Sequence, residues 1–154
     1  MERTLVLVKP DGVQRQLVGR ILFRFEEKGV KIAGLRLLRM SQAMAENLYS
    51  VHLGKPFHTS LIKFITSGPL VALVLEGPKV IAICRTLLGA TFGPNADPGT
   101  IRGDFGSSKS FNLVHGSDSP EAAAREIPIL FKPDEIVEYN LVSAPWTFDL
   151  AEDG

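Results

Sequence analysis

His115 is the residue whose setting in the sequence most favours chemistry. It ends a short apolar run, and a glycine turn and a helix start follow it. Ser119 is a suitable N-cap for that helix, and Pro120 suits its first position. The ring of a histidine at such a strand-to-helix junction is free to face a cleft. Since a neutral imidazole is a nucleophile near neutral pH, His115 is a candidate nucleophile.

Glu126 lies two turns into the helix that the sequence predicts after His115. A carboxylate that points back at an imidazole can fix its tautomer and leave the other ring nitrogen free to attack. The sequence alone is equally consistent with an exposed helix position for Glu126. We therefore hypothesise that the two residues are a nucleophile and its partner. These residues alone indicate no substrate.

Cationic side chains stand at the ends of several predicted elements, and neutral donors accompany them. The cations are Lys9, Arg85 and Arg102, and the neutral donors are Thr91 and Asn112. A pocket that collects these groups would suit a polyphosphate, because arginine binds phosphate oxygens through paired donors. No glycine-rich phosphate loop of either common type is present, so side chains would have to build the site. Taken alone, Lys9 fits a solvated strand end equally well.

Composition limits the classes of protein to consider. The 154 residues fit one domain, and 17 basic residues balance 17 acidic ones, so nucleic-acid binding is not expected. The lone Cys84 lies in an apolar stretch and is interpreted as core, and His52 and His58 are interpreted as surface or helix-end histidines. With no disulfide pair, no signal segment and no membrane-length apolar run, a cytoplasmic protein is expected.

The elements that must position these residues follow from hydrophobic periodicity. Strands are predicted at 4–9, 30–40, 70–75 and 113–114. Helices are predicted at 17–28, after Ser41, at 59–67, at 78–89 and from 120 to about 131. Residues 10–12 are predicted to form a turn, and Pro128 is expected to kink or end the last helix.

The order of these elements predicts an α/β (α+β) fold of the ferredoxin-like βαββαβ type. It consists of a four-stranded antiparallel sheet with helices on its face. The stretch 90–111 lacks periodicity but holds apolar residues, which indicates an ordered, functional loop. Residues 1–154 are expected to form one domain. Its C-terminal extension, about 140–154, carries Trp146 and Phe148 and is expected to pack on the body or on a neighbouring subunit.

Several motifs, in order and at matching spacing, resemble the nucleoside diphosphate kinase family over nearly the whole chain. The motifs are Lys9-Pro10-Asp11-Gly12-Val13, Tyr49 with Lys55-Pro56-Phe57, Ser67-Gly68-Pro69, Pro98-Gly99-Thr100-Ile101-Arg102-Gly103-Asp104-Phe105 and Asn112-Leu113-Val114-His115-Gly116-Ser117-Asp118-Ser119. The resemblance implies transfer of the terminal phosphate of a nucleoside triphosphate to a nucleoside diphosphate. The family performs it in two half-reactions through a phosphohistidine.

The same resemblance implies a catalytic role for four residues, which are His115, Glu126, Ser117 and Lys9. His115 matches the nucleophile, which attacks through Nδ1, and Glu126 matches the glutamate that orients the ring through its other nitrogen. Ser117 matches the serine beside the nucleophile. Lys9 and Asn112 match the residues that meet the sugar 3′-hydroxyl, with Lys9 also near the transferred phosphate.

The remaining nucleotide-binding residues are implied in the same way. Arg85, Thr91 and Arg102 match phosphate-binding residues, and Tyr49 matches the nearby tyrosine. Phe57 matches the aromatic residue on which the base stacks, which fits a broad nucleotide range because every base has a π-face. Removal of Arg102 is expected to slow the reaction far more than it disturbs folding.

Family membership would also imply Mg²⁺, bound mainly through the nucleotide phosphates rather than by protein ligands. Members are homo-oligomers, and the extended tail with Trp146 favours a hexamer over a tetramer. No membrane partner is expected. A nucleotide-binding regulatory module on the same fold is the alternative, and degenerate catalytic positions would favour it; none is degenerate in this sequence.

Overall fold

A computed structural model describes residues 1–154, which form four strands and nine α-helices. The strands are β1 (Glu2–Val8), β2 (Lys31–Arg39), β3 (Pro69–Gly77) and β4 (Val114–Gly116). The helices are α1 (Pro10–Gln14), α2 (Val18–Glu27), α3 (Gln42–Leu48), α4 (His58–Ile65), α5 (Val80–Leu88), α6 (Ile101–Phe105), α7 (Pro120–Leu130), α8 (Ala144–Thr147) and α9 (Leu150–Asp153). Every predicted helix and strand is present, with ends that differ by a few residues.

The four strands form one sheet in the order β2-β3-β1-β4, and every neighbouring pair is antiparallel. The predicted βαββαβ sheet is thereby confirmed. In β4, at the edge of the sheet, His115 pairs with Leu7 of β1. Lys9 follows the last residue of β1, so the candidate nucleophile and this cation lie beside each other although they come from distant parts of the chain.

Helices cover both faces of the sheet, which adds a layer to the predicted arrangement. Side chains of β1 and β3 alternate between two buried clusters, as the period of two in a strand requires. One cluster joins β1 and β3 to α2 and α5, and the other joins them to α3, α4 and the end of α7. The continuous apolar run in β3 is therefore explained by burial on both faces.

Two local predictions are corrected by the structure. Residues 10–12 belong to helix α1 and do not form a simple turn. Proline at the first helical position and an acidic residue in the first turn both favour a helix start, so Pro10 and Asp11 fit α1 as well as they fit a turn.

Pro128 does not end helix α7, which continues to Leu130, so the expected early end is wrong. A proline removes the donor for the carbonyl four residues before it, which here belongs to the exposed Ala124, where water can replace it. The next bond of the last turn is intact, since Phe131 N donates to Ile127 O at 2.9 Å. Burial of Leu130 and Phe131 then holds this turn against the sheet.

The long loop before β4 is ordered, as predicted, and it contains α6. Thr100 caps this helix by accepting a hydrogen bond from Gly103 N at 3.0 Å. A Cβ atom at position 103 would lie 1.8 Å from Asp97 O, so only glycine fits there. Arg24 of α2 bonds Asp104 Oδ2 at 2.9 Å and ties the loop to the body.

The C-terminal segment packs on the body through part of its length. Phe148 is half-buried, with its ring against Gly77, and Thr147 packs closely on Gly29. Trp146, in contrast, is 93% exposed. Its predicted contact with a neighbouring subunit stays a prediction. None of the helices combines the length and apolar character needed to cross a membrane.

Candidate active site

His115, Glu126 and Ser117 form a hydrogen-bonded group at the start of α7. His115 Nε2 lies 2.9 Å from Glu126 Oε1, and Ser117 Oγ donates to the same oxygen at 2.9 Å. The carboxylate is buried, whereas the imidazole is partly open to solvent. The other ring nitrogen, Nδ1, has no hydrogen-bond partner in the protein, so it is free to meet a ligand.

The surroundings of Glu126 keep its carboxylate charged. Burial alone would raise the pKa, but hydrogen bonds from His115 and Ser117 and the charge of Arg125 lower the pKa of Glu126 overall. Arg125 Nη2 lies 3.7 Å from the second carboxylate oxygen. An ionised Glu126 accepts a hydrogen bond from Nε2–H. This keeps the proton on Nε2 and the lone pair of His115 on Nδ1, the arrangement that a nucleophilic imidazole needs.

Helix α7 begins where the sequence predicts, and this places Glu126 beneath the imidazole. Ser119 accepts a hydrogen bond from Ala122 N at 3.1 Å, and Pro120 occupies the first helical position. Eleven residues of helix follow. Because only two residues separate the end of β4 from this cap, two turns of helix suffice to return the carboxylate to His115.

Lys9, Asn112 and Thr91 form a second group beside the histidine. Lys9 Nζ donates to Asn112 Oδ1 at 2.8 Å, and Asn112 Nδ2 donates to Thr91 O at 2.9 Å. Lys9 is almost fully buried, and burial together with the charge of Arg102 lowers the pKa of Lys9 to about 8. The Thr91 side chain itself is not part of this chain of bonds.

Arg102 is buried and binds three backbone carbonyls, which come from two segments of the chain. Its Nε, Nη1 and Nη2 donate to Asn112 O at 3.1 Å, Gly89 O at 3.0 Å and Val114 O at 2.6 Å. Burial, with a smaller effect of Arg85, lowers the pKa of Arg102 to about 10. The sequence led us to expect that loss of Arg102 would affect the rate far more than folding. These three hydrogen bonds change that expectation, because their loss must also disturb folding.

Arg85 lies on α5 close to the same segments. Its Nη1 donates to Gly116 O at 3.3 Å, and its side chain is largely exposed. The arginine therefore borders the strand that carries His115 with most of its donors free. Lys9, Arg85 and Arg102 thus surround β4 with positive charge.

A row of rings extends from the histidine toward the surface. The Tyr49 ring lies edge-on to the His115 ring with centroids 6.1 Å apart. His52 stacks on Tyr49 at 6.2 Å, and Phe57 meets His52 at 5.3 Å. Phe57 is half exposed, so its ring offers a flat apolar surface at the outer end of the row.

Sequence reasoning missed His52, which it interpreted as a surface or helix-end residue. The structure places this histidine between Tyr49 and Phe57, and Lys55 Nζ lies 3.4 Å from its Nδ1. Burial, with Lys55 and His115 next, lowers the pKa of His52. The spacing of three from Tyr49 was the available signal, because residues three apart face the same side of a helical turn. His58 begins α4, as interpreted.

The donor set around His115 fits anion binding better than metal binding. No group of three or more histidine, cysteine, aspartate or glutamate side chains is arranged to hold a metal ion. Cations, amide donors and an open imidazole nitrogen instead converge on one region. Such a set suits the phosphates of a nucleotide.

Comparisons with known proteins identify the family. The family model described as nucleoside diphosphate kinase matches residues 2–136. The nucleoside diphosphate kinase of Staphylothermus marinus is 58% identical over 138 residues, covering 90% of this chain and 98% of that protein. That of Carboxydothermus hydrogenoformans is 52% identical over 149 residues, covering 97% of this chain and 100% of that protein.

The fold leads to the same family. The solved structure of a halophilic nucleoside diphosphate kinase from Halobacterium salinarum, in complex with CDP, superposes with a TM-score of 0.94. It is 45% identical in sequence, and the match covers 96% of this chain and 99% of that one. The chain belongs to the nucleoside diphosphate kinase family, enzymes that transfer phosphate from a nucleoside triphosphate to a nucleoside diphosphate.

Proposed function

We propose that His115 carries the phosphate between the two nucleotides as a phosphohistidine. The lone pair of Nδ1 attacks the terminal phosphorus, a P–N bond forms, and the P–O bond to the leaving diphosphate breaks. In the second half-reaction the terminal oxygen of another nucleoside diphosphate attacks the phosphohistidine and His115 is released. The observation that carries the proposal is the 2.9 Å contact between Nε2 and the buried Glu126 carboxylate, which leaves Nδ1 free.

Three cations are proposed to stabilise the charge of the transferred phosphate. Phosphate transfer depends mainly on positioning and on positive charge around the equatorial oxygens. Arg85 has most of its donors free, and three of the five N–H groups of Arg102 bind protein carbonyls, which leaves two. Lys9 is held against Asn112, and this pair is proposed to meet the sugar 3′-hydroxyl.

The aromatic row supports a site for the base and the remaining phosphates. Phe57 offers the exposed ring on which a base would stack, and stacking accepts every base. Tyr49 lies between this ring and His115. The backbone carbonyl of Thr91 accepts a hydrogen bond from Asn112 Nδ2. We therefore propose broad base specificity, with selection by the phosphates rather than by the base.

Mg²⁺ is proposed as the cofactor, held mainly through the nucleotide phosphates. Mg²⁺ commonly binds through substrate phosphates and water rather than in an all-protein cage. When bound, Mg²⁺ would neutralise part of the phosphate charge. We also propose a homo-oligomer, with a hexamer favoured, which would cover the exposed Trp146. A cytoplasmic location agrees with the single cysteine and with nucleotide substrates.

The proposal is tested by incubating the protein with γ-labelled ATP and then with unlabelled GDP. The protein is expected to take up label that is stable to base and labile to acid, and GDP should remove the label as GTP. Peptide mapping should place the phosphate on His115. A protein that binds nucleotide but takes up no label would be a regulatory module, and the proposed reaction would then be wrong.

Lys9 sets an expected alkaline limit on activity. Its pKa of about 8 means that the ammonium loses its proton as the pH rises through that value. Because the cationic form is the one proposed to act on phosphate, kcat/KM, which reports the free enzyme, should fall above about pH 8. The measurement is a pH profile of kcat/KM for ATP between pH 6 and 10 (roughly the span over which Lys9 changes charge).

A Lys9→Met variant is the control for this pH profile. It should be slower throughout, and its profile should lose the decline near pH 8, because no ammonium remains to titrate. A wild-type profile that is level to pH 10 would contradict a cationic role for Lys9.

A further inference from the structure

Leu113 has a backbone conformation that a leucine rarely adopts. It lies two residues before His115, its φ angle is 70°, and its side chain is fully buried. Positive φ values are unfavourable for a branched, bulky side chain, so the surrounding structure must hold this residue in place. The question is which groups do so.

The segment that follows β1 binds both backbone polar groups of Leu113. Lys9 N donates to Leu113 O at 2.8 Å, and Leu113 N donates to Asp11 Oδ2 at 3.1 Å. Gly12 allows the close approach, since a Cβ there would lie 3.3 Å from Leu113 O and 2.7 Å from a methyl group of Val8. Asp11 is the only side chain that bonds the Leu113 N–H.

The carboxylate of Asp11 has no other hydrogen-bonding role. Its second oxygen, Oδ1, is buried and has no partner. Asp11 lies in the first turn of α1, where a negative charge is favourable, but that turn needs no side-chain bond from it. The contact with Leu113 is therefore the one directed interaction that this carboxylate makes.

The conformation of Leu113 determines where three site residues lie. Val114 N donates to Asn112 O at 2.8 Å, which closes a tight turn across Leu113. Asn112 precedes the turn and bonds Lys9, whereas His115 follows it. Arg102 bonds the carbonyls on both sides, those of Asn112 and Val114. A relaxed Leu113 would shift Asn112, His115 and the guanidinium of Arg102 together.

We propose that Asp11 is a positioning residue for phosphate transfer, whose carboxylate holds the strained Leu113 turn and thereby sets the place of His115 and Asn112. The proposal rests on the proposed role of His115. Asp11 acts through the backbone and not on the nucleotide. Its acceptor oxygen holds the turn, whereas its negative charge acts separately by raising the pKa of Lys9.

The test compares Asp11→Ala with Asp11→Asn. Alanine removes the acceptor, and kcat should fall by about 100-fold while KM changes by less than about threefold, because a small displacement of reacting groups lowers the rate more than binding. Asparagine keeps an acceptor oxygen and loses the charge, so its kcat should stay within about threefold of wild type when measured well below the Lys9 pKa of about 8, where Lys9 keeps its proton. Equal losses in both variants, or a wild-type rate in Asp11→Ala, would overturn the proposal.

Hydrogen exchange of the Leu113 amide gives a readout independent of activity. The amide should be protected in the wild type and in Asp11→Asn, and should exchange much faster in Asp11→Ala. Protection that survives in Asp11→Ala overturns the proposal. Because this readout does not need phosphate uptake, it tests the Asp11 contact separately from the proposed reaction of His115. If Asp11→Ala does not fold, Asp11→Glu replaces it, because the longer side chain keeps the charge and misplaces the oxygens. The kcat of Asp11→Glu should fall as that of Asp11→Ala would.

Discussion

His115→Ala is expected to lower the rate of phosphate transfer by more than about 10³-fold, because it removes the imidazole that is proposed to form the covalent intermediate. Nucleotide binding should change little, since Lys9, Arg85 and Arg102 keep their places. Stability near neutral pH should stay within about 1 kcal/mol of wild type, since the imidazole is partly exposed and makes one side-chain hydrogen bond. The measurements are steady-state kinetics with ATP and GDP, ADP binding by calorimetry and denaturant unfolding.

Ser117→Ala is the matched control for the His115 variant. It removes the other hydrogen bond to Glu126 Oε1 and leaves the imidazole in place. Its rate should fall by about tenfold, because a weaker hold on Glu126 affects the orientation of the ring and not its presence. A His115→Ala protein that keeps a tenth of wild-type activity would contradict the assignment of the nucleophile.

The pH dependence of stability should differ between wild type and His115→Ala. The pKa of Glu126 is lowered in the folded protein, so its stabilising contribution is present above the pKa of the unfolded chain and is lost as the pH falls through the folded value. Without His115 the pKa of Glu126 in the folded protein moves up toward its ordinary value. The variant should therefore lose less stability on acidification than wild type.

Arg102→Ala is expected to reduce both the rate and the stability. The rate should fall by about 10³-fold, the lower end of what an arginine contributes in phosphoryl transfer. The free energy of unfolding should fall by about 2–4 kcal/mol, because three carbonyls, two of them in buried hydrogen bonds, lose a charged donor. Arg102→Lys should be nearly as unstable, since one ammonium cannot reach three carbonyls in the geometry of a guanidinium.

Arg85→Ala is the matched control for the effect on stability. Arg85 is largely exposed and makes a single 3.3 Å bond, to Gly116 O. Its removal should slow the reaction while the free energy of unfolding changes by less than about 1 kcal/mol. Urea unfolding of both variants gives the comparison. Equal unfolding free energies in Arg85→Ala and Arg102→Ala would show that the bracing by Arg102 adds nothing to stability.

Local signals in the sequence predicted the parts of the fold that depend on neighbouring residues. The apolar run of β3 predicted a central strand, and Ser119 with Pro120 predicted the start of α7. The prediction that Pro128 ends α7 early was wrong because the energetic cost of a proline in a helix depends on whether the carbonyl that it leaves unpaired is open to water. That property follows from packing and not from the sequence pattern.

The site was predictable as a set of residue types but not as a set of contacts. The resemblance named the residues around His115, whereas the carbonyls bound by Arg102 come from two segments, one at Gly89 and one at residues 112–114, that meet only in the folded chain. The positive φ of Leu113 has no signal in its side chain, because leucine seldom adopts it. His52 was missed because a single ring at helical spacing has too many ordinary explanations.

The pairing of His115 with Leu7 has a consequence for how the enzyme acquires activity. These two strands come from opposite parts of the chain, so their pairing closes a very long loop. Contacts of this kind are costly in entropy and form slowly compared with the local helices. Secondary structure can therefore return during refolding before any catalysis does. Recovered turnover would report that the β1–β4 edge has formed, so the activity of the enzyme is itself a kinetic probe of that pairing.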